Sequence, residues 1–226
     1  MALFTIPKQT SELLIATLQF MPLPTPAARA LKHTRRVICE GFKREDGLWD
    51  IEAHLIDTKT FPLNIRSCAN GILPAGEPLH GLSIRITVDL DLNILDAVAA
   101  MDYTPFHSCP SIADAYKQLI GLQIGPGFTG KTKELFSGRK GCTHLLELLG
   151  PLATSAFQST HQEREQRESF WQNADNRPPM LDTCHTLAAN GPVVKEIWPE
   201  HYQDDANTII AVTATERSCN SDSTSA

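Results

Sequence analysis

The sequence lacks a Cys-x-x-Cys pair, a dense run of Lys or Arg, and any apolar run long enough to cross a bilayer. Each absence excludes something. Six cysteines at 39, 68, 109, 142, 184 and 219, spread over 226 residues, are unlike the dense framework of a small secreted disulfide protein. Reduced thiols and a cytoplasmic location are the expectation. A net charge of −6 without a basic cluster argues against nucleic acid or an anionic membrane surface as partner, since either would favour a basic patch. The stretch Leu13 to Met21 could pass for a signal-peptide core, but it follows Glu12, is interrupted by Thr17 and Gln19 and is too short to span a bilayer, so export is not the expectation. No Gly-x-Ser-x-Gly elbow and no His-Glu-x-x-His pair occurs, which counts against serine hydrolases and common zinc proteases. There is no internal repeat.

What is present is enough for a real core: 42% of the residues are hydrophobic, which suits one globular domain with appendages. Residues 1–34 form an extension ending in a linker at Pro22, Pro24 and Pro26. Translation from Met21 would remove a segment with no evident claim on the core. A single α+β domain is expected over 35–200, and a Ser/Thr-rich disordered tail over 201–226.

Within the domain, Val37–Phe42 runs into Asp46-Gly47, and Trp49, Ile51, Ala53 and Leu55 then alternate with polar neighbours, which is a hairpin signal. Residues 60–81 carry the Pro and Gly of a loop. Further strands follow at 82–88 and 94–101. The expectation is an antiparallel β-meander with helices packed on one face. Ser111 and Asp114 have the spacing of a capping box before Ile112, Tyr116, Leu119 and Ile120, with Gly121 as stop. A longer helix starts at Thr143, with an apolar stripe through 145, 149, 152 and 156, and Gly150-Pro151 should kink or restart it. The polar segment 161–177 extends it. A short helix is predicted from Thr183 to Ala189, capped by Asp182 or Thr183 and stopped by Asn190-Gly191.

Chemistry concentrates at helix starts. Cys109 precedes one, Cys142 another, and Cys184 falls in the first turn of a third, with His107, His144 and His185 close by in sequence. Helix N-termini favour the anionic form of a thiol, and thiolate with imidazole is a donor set for zinc or an iron–sulfur centre. For Cys39, Cys68 and Cys219 a small buried hydrophobe is the preferred reading. Glu147 lies on the face of His144, and Glu52 and His54 share the polar face of their strand. His80 follows Glu77 in the loop, where solvation is the ordinary role. The run Gly125–Thr132 matches G-x-x-x-x-G-K-[ST] literally. However, the helix after Lys131 is broken at Ser137-Gly138 and no apolar strand ending in Asp follows, so no ATP binding is expected.

The segments His33-Thr34-Arg35-Arg36, Arg44-Glu45-Asp46-Gly47-Leu48-Trp49-Asp50-Ile51-Glu52-Ala53-His54-Leu55, Gly76-Glu77-Pro78-Leu79-His80, Cys109-Pro110, Gly141-Cys142-Thr143-His144-Leu145 and Asp182-Thr183-Cys184-His185 together resemble a bacterial family of unknown function. The resemblance runs from about Met21 to about Pro199, implies Met21 as the start, and brings no activity with it. Residues 82–158 also resemble the scaffold proteins of iron–sulfur cluster assembly. In that likeness Cys109 matches the first ligand and Cys142 with His144 the late pair, although Thr143 intervenes and the middle cysteine has no counterpart unless Cys184 or His185 supplies it. Three functions follow as alternatives: a zinc or iron–sulfur site built from Cys109, Cys142, His144, Cys184 and His185; an enzyme with Cys142 as nucleophile and His144 or His185 as base; or a binding module with inert thiols, its partner a protein or a small molecule.

Overall fold

The computed structural model describes residues 23–68, 70–169 and 177–204. The expectations for the first 20 residues, for Cys219 and for nearly all of the C-terminal tail fall outside them. Strands β1 (His33–Lys43) and β2 (Trp49–Lys59) form the anticipated hairpin. Its turn needs a left-handed residue, which Gly47 supplies at φ +87°. A two-residue hairpin, β3 (Leu63–Asn64) and β4 (Ile72–Leu73), stands apart from the main sheet. Strands β5 (Pro78–Val88) and β6 (Ile94–Tyr103) complete a four-stranded antiparallel meander in the order β1-β2-β5-β6. The loop expected over 60–81 therefore holds the small hairpin and yields its last residues to β5.

Alternation decides which face is covered. Ile51, Ala53 and Leu55 on β2 and Leu82, Ile84, Ile86 and Val88 on β5 are all essentially inaccessible, while Glu52, His54 and Arg85 point to the other, open face. Three segments close the core over the apolar face. They are a 3-10 segment at Cys109–Leu119, helix α1 (Phe128–Phe136) and the 26-residue helix α2 (Thr143–Glu168). Leu145, Leu148, Leu149, Leu152 and Ala156 form the buried stripe of α2, each leucine contributing about 1.5–3 kcal/mol by removal from water.

Helix α2 runs over β1, β2 and β5. Its far end is pinned by Lys43 Nζ to Glu163 Oε2 at 2.6 Å, and it lies so close to β1 that an alanine Cβ at Gly41 would collide with Ser159 Oγ and stand 2.6 Å from Ser159 Cβ. Its first turn consequently sits at the opposite end of β1, above Arg35 and Asp57.

Three helical expectations need correction. Pro151 neither ends nor restarts α2, because it is exposed while Leu148 and Leu149 before it and Leu152 after it stay locked against the sheet. The segment expected to begin after Ser111 is a 3-10 element that begins at Cys109, where Pro110 in the first turn favours a start, and the Ser111 hydroxyl donates to Ser108 O instead of capping. In the C-terminal part only His185–Leu187 is helical, as one 3-10 turn, and α3 (Pro192–Ile197) follows with proline at its start. Leu181, Val194 and Trp198 there form an apolar cluster of their own.

Candidate functional site

The alternation that buries Ile51, Ala53 and Leu55 carries on for one more step, two residues further, and buries Asp57, which is 2% exposed on the covered face. The same phase on the flanking strands gives Arg35, two residues before Val37, and His80, two residues before Leu82. Register makes Arg35 and His80 the direct cross-strand neighbours of Asp57, and the pairing shifts at Asp57/Thr58, the kind of bulge that re-aims side chains beside functional sites. Helix α2 then lays His144 and Glu147 of its first turns over this row.

The contacts converge on the Asp57 carboxylate. Arg35 grips it with two parallel bonds, Nε donating to Oδ1 at 2.8 Å and Nη2 to Oδ2 at 2.7 Å, while the third guanidinium nitrogen, Nη1, donates to Glu147 Oε2. His80 Nδ1 lies 3.1 Å from Oδ2, His144 Nε2 3.8 Å from Oδ2 and His33 Nε2 3.4 Å from Oδ1. The rings of His80 and His144 are 3.9 Å apart, tilted by 35°. On its other edge His144 presents Nδ1 to Cys142 Sγ at 3.9 Å.

Cys142 is held by its backbone. The buried Tyr116 hydroxyl donates to Cys142 O at 2.9 Å and accepts from Cys142 N at 3.1 Å, and its ring stacks on Phe136 at 4.4 Å. A side chain at Gly141 would press on Phe136, with the Cβ atoms 2.8 Å apart, so glycine is what lets the chain turn into α2 here.

Charge and burial set the protonation states. Burial alone would raise the Asp57 carboxyl, but the Arg35 guanidinium, with His80 and His33, overcomes this and holds it below the usual carboxylate range. Burial, then the positive charge His144 would carry, keeps His80 below the ordinary histidine value; burial, then Arg35, does the same to His144. Both shifts favour the neutral ring, which keeps one nitrogen lone pair for a ligand. One guanidinium against the Asp57 and Glu147 carboxylates leaves the group one negative charge in excess, which favours a cation. Asp57, His80 and His144 offer three ligand atoms within 4.8 Å of one another.

A family model for a protein of unknown function, DUF2889, matches residues 33–158, more than half the chain. The chain belongs to the DUF2889 family. No curated protein and no solved structure matches it. The DUF2889 region starts at His33 and contains the whole Asp57 group and Cys142, but it ends before Cys184 and His185. No described helix is long and apolar enough to cross a membrane.

Of the residues singled out in the sequence, His144 is in the group and Cys142 adjoins it. Cys109 opens the 3-10 segment, Cys184 is exposed and His185 begins the C-terminal 3-10 turn; none of the three is among the clustered ligand atoms. Sequence reasoning missed Arg35, Asp57 and His80 as a site, although following each apolar alternation two residues beyond its last hydrophobe would have found all three. In the Gly125–Thr132 run α1 already starts at Phe128, so Gly130, Lys131 and Thr132 lie inside the helix and not in the loop before it, and Lys131 pairs with Glu134 at 3.2 Å.

Proposed function

We propose that this protein is a metal-binding protein whose centre is formed by Asp57, His80 and His144, and that the metal is zinc or iron(II). The observation that carries the reading is a buried carboxylate, gripped by two bonds from Arg35, with two imidazoles whose nitrogens converge on it. Two imidazoles and one carboxylate suit either metal and leave positions open for water or substrate. Arg35 serves as the outer partner that orients the ligating carboxylate, and a metal would take the place of the proton now shared between His80 Nδ1 and Asp57. The iron–sulfur reading draws on Cys109, Cys142, His144, Cys184 and His185, of which only His144 is among the three clustered ligands, and so ranks second among metals. The test is metal analysis of anaerobically purified protein beside Asp57→Asn and His144→Gln; loss of metal in either variant supports the centre, and undiminished metal in both sinks it.

A second reading is favoured by one contact. Cys142 Sγ and Asp57 Oδ2 lie at opposite edges of the His144 ring, 3.9 and 3.8 Å from its two nitrogens, the arrangement of a nucleophile, a base and an orienting carboxylate. In that case Cys142 would be alkylated fast at neutral pH and His144→Gln would slow it. Uniformly slow alkylation of every thiol removes this enzyme reading.

A further inference from the structure

Arg35 has two carboxylate partners of very different kinds. Asp57 is buried and takes two of its nitrogens, whereas Glu147, whose side chain is 48% exposed, takes only Nη1. Glu147 also lines a cleft of about 370 Å³ between α1 and α2, whose walls include Phe128, Thr132, Lys133, Leu146 and Gly150. That volume is within the range of small-molecule sites. The cleft is thus largely apolar, has the Lys133 ammonium on one wall, and is bordered by Glu147, whose carboxylate covers Arg35 Nη1.

We propose that this cleft binds a small organic carboxylic acid, its carboxylate replacing Glu147 on Arg35 Nη1 and its apolar body lying between Phe128 and Leu146. The exchange is easy for physical reasons: like replaces like on Arg35, and Glu147 is released into water, where an exposed ion pair is worth little. Asp57 keeps its own two bonds throughout, so the seat stays aimed. The proposal deepens the metal-centre reading and rests on it for the identity of the site, since the acid would sit beside the metal that Asp57 carries.

Calorimetric titration of the full chain with hexanoate tests it, with hexanamide as uncharged control, in metal-free and in zinc-loaded protein. Hexanoate should bind saturably in both states and hexanamide at least about tenfold more weakly. Glu147→Ala, which removes the internal competitor, should tighten hexanoate about fivefold. Gly150→Phe, placed where an added Cβ meets nothing within 4 Å, should fill the cleft and weaken binding at least about tenfold in protein of unchanged melting temperature. Equal binding of acid and amide, binding only with zinc present, or indifference to both substitutions would overturn the proposal. Zinc uptake without hexanoate binding defeats the acid site alone, and hexanoate binding without zinc uptake defeats the metal centre alone.

Discussion

Asp57 occupies a position that the alternation of β2 would give to an aliphatic residue, and the structure keeps it charged there by spending Arg35 on it. Removing the charge leaves the guanidinium facing a partner that cannot pair with it. Asp57→Asn should therefore destabilise the fold by about 3 kcal/mol, the lower end for a broken buried pair, because Arg35 is itself 30% exposed; a denaturation midpoint unchanged from the parent would contradict this. The imidazoles give a pH test. Since His80 and His144 titrate below the ordinary value of about 6.5, the unfolded chain binds more protons than the folded one just beneath it. Their contribution is full above pH about 6.5 and is lost as pH falls through their folded values. Asp57 adds a second loss at lower pH, as its own depressed value is crossed. Urea midpoints should fall from pH 7 to pH 5, and His80→Gln with His144→Gln should flatten that limb; a flat parent profile would mean the rings are not held neutral.

The sheet hairpins, the covered face and the buried stripe of α2 were legible in the sequence because period-2 and helical spacing repeat over several residues in Ile51–Leu55, Leu82–Val88 and Leu145–Ala156. The convergence of Arg35, Asp57 and His80 was not. It depends on strand register and on where a strand stops, and β5 begins at Pro78, inside a stretch whose prolines and glycines signal a loop. The close approach of α2 to β1 was equally invisible, since Gly41 shows its purpose only against Ser159. Gly41→Ala should lower stability by about 1–3 kcal/mol through overpacking, and adding Ser159→Gly should restore most of it, as read by thermal unfolding. Failure of the second substitution to rescue would show that α2 is placed by something else. Gly150→Ala, in mid-helix with open space around it, should stabilise by about 0.5–1 kcal/mol.

On the scale of the whole molecule, the meander and α2 form a frame that holds one carboxylate and two imidazoles together, with Cys142 beside them, while among the described residues Cys109 and Cys184 are not part of that group. The sequence placed those thiols at helix starts because a helix start is a local feature; which starts meet in space is a matter of topology, and it is the α2 start that lands on the row Arg35, Asp57, His80. The first 20 residues show no sequence pattern that ties them to the sheet, so a chain beginning at Met21 should unfold at nearly the temperature of the full one, and a large drop would give them a structural role. The most direct measurement is elemental analysis of the anaerobically purified full chain, paired with melting temperature before and after chelation. About one zinc or iron per chain, lost together with thermal stability in Asp57→Asn and on chelation, is the predicted result. A metal-free protein whose melting temperature is indifferent both to added zinc and to chelator would contradict the metal centre.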